Sequence, residues 1–207
     1  MSDMSKLLSW GIENSVPGAP EDKRTELDPA LLAKLFGNQK DDSTMMKESM
    51  AAILDPEVPL PDKETAFDNF EMLVENLDNA NNIDNLKLWS PLISQLSAPE
   101  FQLRLMAAWC IGTATQNNIK SQEAMHKHGG VPKIVELILK DPEEKVRTKA
   151  VYALSSQVRN YEPSLKQALD LLPEELALKK DLDAEDMESI DELVRKLRER
   201  VKKVISA

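Results

Sequence analysis

Apolar residues along this chain recur at steps of three and four, and one such run is said more than once. Residues 101–118 read FQLRLMAAWCIGTATQNN, and Val146 to Tyr161 read VRTKAVYALSSQVRNY. Arg104 matches Arg147, Ala107 matches Ala150, Trp109 matches Tyr152, Ile111 matches Leu154 and Asn117 matches Asn160, each pair 43 positions apart. Upstream, KETAFDNFEMLVEN fits with a shift of 41, placing Lys63 under Arg104, Ala66 under Ala107, Phe70 under Ile111 and Asn76 under Asn117. Between these long runs the spacing predicts shorter helices. Ile83 to Trp89 and Pro91 to Leu96 form one pair, with Ser90-Pro91 at the corner. SQEAMHKH and VPKIVELILK form the next, hinged at Gly129-Gly130, with Pro132 at a helix start. In the first unit Ala66, Phe67, Phe70, Leu73, Val74 and Leu77 give a broad apolar face, and LDNANN reads as the turn that ends it.

Helical units recurring at roughly 40–47 residues mark an armadillo or HEAT solenoid, and the short–medium–long triplet favours armadillo. No alternating run of β-branched residues is present, so the chain reads as all-α, an armadillo-repeat superhelix. Three divisions are expected: 1–43 as an N-terminal, partly flexible segment with short helices, 44–172 as the repeat domain, and 173–207 as a C-terminal amphipathic helix. In the first, Met4, Leu7, Leu8 and Ile12 fall at helical spacing, residues 14–27 read as a linker, and Asp28-Pro29 and Gly37 bracket ALLAKLF. A helix is predicted from Thr44 to Leu54, and prolines at 56, 59 and 61 predict its end. The long helix of the first repeat is expected from Asp62, and Asp141-Pro142 opens that of the third. After Tyr161 the repetition fades. About 184–205, Met187, Ile190, Val194, Leu197, Val201 and Val204 step by three and four, with acidic residues early and basic ones late, as a helix dipole favours. Such a helix either caps the last repeat or pairs in a short coiled coil; the cap is favoured, because the seam is barely three heptads long.

Composition narrows the function. The formal net charge is −10, which argues against nucleic acid and an anionic membrane surface as partners. Cys110 is the one cysteine, so no internal disulfide forms and a reducing compartment, the cytosol, is expected. Neither a signal peptide nor a transmembrane run is read in the sequence. His126 and His128 lack companion ligands for a metal, and Gly129-Gly130 follows no strand and precedes no Lys-Ser pair. Cys110 sits on an apolar face as an inert thiol, and no nucleophile–base arrangement can be assembled from two histidines. No catalytic residue, metal or cofactor is expected; the chain is not read as an enzyme.

Recognition remains. Solenoids line their concave face with third helices. Peptide-binding armadillo proteins carry Trp-x-x-x-Asn there, but the equivalent pairs here are Asp68 with Met72, Trp109 with Thr113 and Tyr152 with Ser156, so a peptide ladder is broken. Asn76, Asn117 and Asn160 fall near helix ends, where C-terminal capping outweighs a binding role.

MKESMAAILDPEVPL followed by AFDNFEMLVENLDNANNIDNLKLWSPLI closely resembles the armadillo-type nucleotide exchange factors of Hsp70 chaperones. KLLSWGIENS, DPALLAKLFG, IGTATQNN and VRTKAVYALSSQVRN extend the resemblance over residues 4–161. The family usually has more repeats, so the chain looks shortened after Tyr161. The resemblance implies a monomeric co-chaperone that grips the Hsp70 ATPase domain with its concave face and promotes ADP release; the alternative is an armadillo scaffold without exchange activity. Contact residues expected on that ground are Asp68, Glu75, Trp109, Gln116, Tyr152 and Arg159 on the third helices, with Ala80 and Asn81 in the DNANN turn. Trp109 could equally be core. Met4, Leu7, Leu8 and Ile12 are expected to form a client-release segment.

Overall fold

The computed structural model describes residues 10–12, 40–177 and 182–202. The chain up to Asp41 and the chain from Asp42 onward are separate units. In the first, residues 10–12 are helical and Ile12 is exposed; Met4, Leu7, Leu8 and the ALLAKLF stretch lie outside the described residues.

From Asp42 onward the described residues form helices and no strand. They are α1 (Asp42–Leu54), α2 (Leu60–Val74), α3 (Leu77–Asn85), α4 (Trp89–Ser94) with a 3-10 turn at Gln95–Ser97, α5 (Phe101–Thr115), α6 (Ile119–Lys127), α7 (Gly130–Lys140), α8 (Glu144–Val158), α9 (Glu162–Leu171), the single turn α10 (Glu174–Ala177) and α11 (Met187–Val201). The long helices α2, α5 and α8 lie side by side and parallel: Cys110 faces the Phe67 carbonyl, Thr113 bonds Glu71, and Gly112 abuts Tyr152 and Ala153. One continuous core runs from Met46 on α1 to Val201 on α11, as expected of repeats that bury their apolar faces only by stacking.

Several boundaries differ from the sequence expectation. Helix α2 starts at Leu60 and takes Pro61 into its first turn, where a missing N–H costs nothing. It ends at Val74, so Leu77 is exposed and starts α3 instead. LDNANN is therefore helix, not turn: the Asn76 side chain accepts from the Asp78 and Asn79 amides as an N-cap. The corner falls at Lys87, whose φ is 59°, and Ser90-Pro91 lies in the first turn of α4. Asn117 and Asn160 hold φ of 52° and 56°, the left-handed end of a long helix; Asn76 does not, so the third recurring asparagine does a different job. Gly129, with φ 74°, makes the bend before α7, and Gly130 is already helical.

The repetition outlasts its sequence signal. Helix α9 begins 43 residues after α6 (162 against 119), and its buried Ser164 sits where Ser121 sits in α6. Both seryl hydroxyls bond across to a neighbouring repeat, Ser121 to the Ala80 carbonyl and Ser164 to Gln157 and His126. Helix α11 then runs antiparallel to α8, unlike the third helices. Arg147, at the start of α8, reaches the Val201 carbonyl at the end of α11, while Arg159, just past α8, pairs with Asp191 near the start of α11. The antiparallel direction makes α11 a cap and not a further third helix.

Two arginines explain why the repeat keeps that residue. Arg104 donates to the carbonyls of Ala98 and Pro99 (both 2.8 Å) and to the Asp141 carboxylate. Arg147 donates to the carbonyls of Asp141 and Pro142 (2.8 and 2.9 Å), each 43 residues on from its counterpart, and to Val201. Each guanidinium satisfies orphan carbonyls beside its own helix start and ties them to the next element. Replacing Arg147 with Met should cost about 3 kcal/mol, because several buried acceptors lose a charged donor. Urea unfolding monitored by circular dichroism checks this, with the exposed Arg195→Met as a neutral control; equal midpoints for the two would refute the clamp.

Candidate partner-binding groove

The parallel third helices bring their outward residues into one groove of about 390 Å³, lined by Glu71, Glu75, Trp109, Thr113, Gln116 and Tyr152, with Asn117 at its edge. Its floor depends on a missing side chain. A Cβ on Gly112 would lie 2.4 Å from the Tyr152 ring and 3.2 Å from the Ala153 Cα, so only glycine lets the phenol lie flat across α5. The Tyr152 hydroxyl donates to Gln116 at 3.3 Å. Lys149, one turn before Tyr152 on α8, holds its Nζ 4.0 Å above the Trp109 ring and 5.4 Å from that of Tyr152, within cation–π range of both.

The acidic wall belongs to α2. Glu71 is 8% exposed and accepts from the Thr113 hydroxyl at 2.6 Å. Glu75, the C-terminal residue flanking α2, is exposed. Burial lowers the pKa of Lys149, while Glu71 pulls it back. Burial raises that of Cys110 well above the thiol range, aided by Glu71 and Asp68, so the sulfur stays protonated and unreactive. Beyond Tyr152 a second depression of about 790 Å³ opens between the N-terminal halves of α5 and α8, lined among others by Phe101, Leu105, Glu143, Glu144, Thr148 and Lys149.

Of the residues expected from the sequence, Glu75, Trp109, Gln116 and Tyr152 meet in this groove. Trp109 is half-buried, packed on the core by one side and open to the groove by the other. Asp68 is exposed on α2 but does not line the groove. Arg159 is turned toward the cap, bonded to Asp191 and Ser155. Ala80 is not on a turn: it lies in α3, 2% exposed, with its carbonyl taken by Ser121, and its side chain offers no surface. Asn81, beside it, is half-buried. Sequence reasoning missed Lys149 and Glu71, and gave Thr113 only as the failed asparagine position opposite Trp109. Helical spacing could have found Glu71, which precedes Glu75 by four positions.

Other chemistry is structural. His128 bridges Asp84 (2.8 Å) and Ser90 (3.2 Å) in the preceding repeat, and His126 meets Ser164 and the Tyr161 ring in the following one. Among the described residues no three potential ligands gather for a metal, and no helix is long and apolar enough to cross a membrane.

The family model described as "Nucleotide exchange factor Fes1" matches residues 4–83, and that described as "SIL1/FES1/HPBP1 C-terminal domain" matches 79–182. The chain belongs to the Hsp70 nucleotide exchange factor family. A relative from Gibberella zeae, "Hsp70 nucleotide exchange factor FES1", is 51% identical, with 97% of each chain covered. One of the same name from Coccidioides immitis is 46% identical over 96% of this chain and 98% of its own. Another from Eremothecium gossypii is 52% identical over 76% of this chain but only 55% of its own length. The matched region thus spans nearly the whole of the first two relatives and about half of the third. Two solved engineered proteins share the helical fold, with TM-scores of 0.56 (17% identity, 76% of this chain and 63% of that one) and 0.51 (14%, 98% and 97%).

A helix-interior Gly→Ala change ordinarily stabilises by about 1 kcal/mol. Gly112→Ala in this family member should instead lose about 1 kcal/mol, because the ring and the Ala153 backbone must give way. Adding Tyr152→Ala should recover part of the loss in urea unfolding; a stabilising single change would show that the ring moves aside freely.

Proposed function

We propose that this protein is a co-chaperone that accelerates ADP release from an Hsp70 chaperone by holding the chaperone's ATPase domain against the groove of α2, α5 and α8. It acts as a monomer in a reducing compartment, the cytosol. The curated relatives carry the name of Hsp70 nucleotide exchange factor across nearly the whole of this length, and they are binding co-factors rather than catalysts. The observation that carries the reading is the coincidence of Glu75, Trp109, Gln116 and Tyr152 in one groove on a stack of parallel helices. Aromatic residues half-seated in a rigid wall are the usual anchors of an interface. The buried thiol of Cys110 suits a reducing compartment.

No step of bond chemistry is required. The factor has to bind the open, nucleotide-free ATPase domain more tightly than the ADP-closed one. Linkage then makes ADP weaken factor binding by the same ratio, with each tenfold worth about 1.4 kcal/mol. A rigid surface serves this better than a flexible one, since a wall that followed the domain as it closed would bind both states alike and shift nothing.

Release of a fluorescent ADP analogue from a purified Hsp70, followed by stopped flow, tests the reading. The wild-type chain should accelerate release at saturation. Trp109→Ala with Tyr152→Ala should weaken chaperone capture by at least about 30-fold, on the scale of two anchor residues, while helicity is kept. Normal capture by that variant would move the contact away from the groove. Ala80→Arg is no substitute, because it places a guanidinium in the packing beside α6 and lowers stability instead.

A further inference from the structure

We propose that the groove is a seat for an arginine side chain presented by the bound chaperone, an inference that rests on the exchange-factor reading and names the chemistry of the surface it grips. Three observations converge. First, the lining holds two carboxylates, Glu71 and Glu75, and no Lys or Arg, the nearby ammonium of Lys149 standing at its edge over Trp109. Second, both carboxylates stand in or beside the last turn of α2, where the helix dipole disfavours negative charge and that turn carries no basic residue to offset it. Local fold preference therefore does not account for them, and such conflicts concentrate at functional sites. Third, the Trp109 ring already carries a cation from the side of the neighbouring depression: Lys149 of α8 rests its ammonium 4.0 Å over it, within the field of Glu71.

Lys149 is a placeholder. Its site is half-buried, and burial draws its pKa down. It also lines the larger depression beyond Tyr152, whose wall carries Glu143 and Glu144 beside Lys145, so the ammonium has room and two carboxylates to turn toward when the Trp109 face is taken. An incoming guanidinium makes better use of the first site than an ammonium does. It is planar, stacks on an indole or phenol face, and forks toward carboxylates, whereas an ammonium is a strongly hydrated point charge. Glu71 is held in place for this by Thr113, and Glu75 is free in solvent at the mouth.

The test titrates the full-length chain with N-acetyl-arginine amide, with its neutral isostere N-acetyl-citrulline amide, and with N-acetyl-glutamate amide, read by heteronuclear NMR. Arginine should shift the Trp109 indole, Tyr152 and Thr113 signals, and the other two should not. Glu75→Gln should weaken the arginine response about threefold, the scale of one exposed charged contact. Lys149→Met should strengthen it by a similar factor, since it frees the Trp109 face for the guanidinium. A groove that ignores arginine, or prefers glutamate, overturns the proposal, as does a weaker response in Lys149→Met, which would make Lys149 the docking cation for an acidic partner. Stopped-flow ADP release separates the two readings. Exchange without an arginine response removes the seat and leaves the exchange function, whereas an arginine response without exchange keeps the seat and removes the chaperone as its owner.

Discussion

The close parallel approach of α5 and α8 is the constraint on which the rest of the molecule depends. It requires a helix surface with almost nothing on it: Gly112 faces Tyr152 and Ala153, and Ala107, Ala108, Ala150 and Ala153 are all fully buried. Small residues let two backbones come together, but they contribute little apolar area each, so the seam gains by fit rather than by bulk. The large side chains sit at the margins instead. Phe67 and Phe70 in the first repeat and Trp89 in the second are fully buried, and Tyr152 is displaced outward over the glycine. A groove with an aromatic floor is thus a by-product of how tightly the helices behind it are packed.

Holding such helices in register is a problem of backbone polarity as much as of packing. Each repeat begins its long helix after a turn whose carbonyls have no helical partner, and Arg104 and Arg147 answer both turns with the same fork. Where the repeats run out, Arg147 turns the remaining donors onto α11, and Arg159 fixes the other end of that helix. The cap is therefore bound by the same device that binds repeat to repeat. Antiparallel direction follows from this, because the guanidinium seeks a helix C-terminus, where carbonyls and the negative end of the dipole lie together.

Much of the fold was legible in the 43-residue spacing, since identical intervals between Arg104 and Arg147 or Asn117 and Asn160 reflect identical geometry. What the spacing could not reveal was decided locally. Asn76 aligned with Asn117 yet caps the start of the next helix, because two asparagine side chains of equal propensity can serve either end of a helix. That single exchange turned LDNANN from turn into helix and took Ala80 from the surface into the core. The continuation of the repeat in α9 was hidden for a related reason: it is carried by one buried serine and a length, not by a run of matching apolar residues. In the groove, aromatic positions were visible from the repeat, but Lys149 was not, because a charged residue on an apolar-periodic helix reads as solvated face until the ring beneath it is placed.

The groove also shows why charge and fold must be read together. Across the chain, acidic residues outnumber basic ones, 36 to 26. Glu188 and Asp186 at the start of α11, and Arg198 and Arg200 at its end, agree with the dipole of their helix and are accounted for by it. Glu71 and Glu75 oppose theirs. Glu71 is also buried, near a half-buried lysine whose charge burial penalises and the Glu71 carboxylate supports. On the proposed reading, selectivity between open and closed ATPase domains rests on the rigidity that Gly112 and Ala153 give the groove.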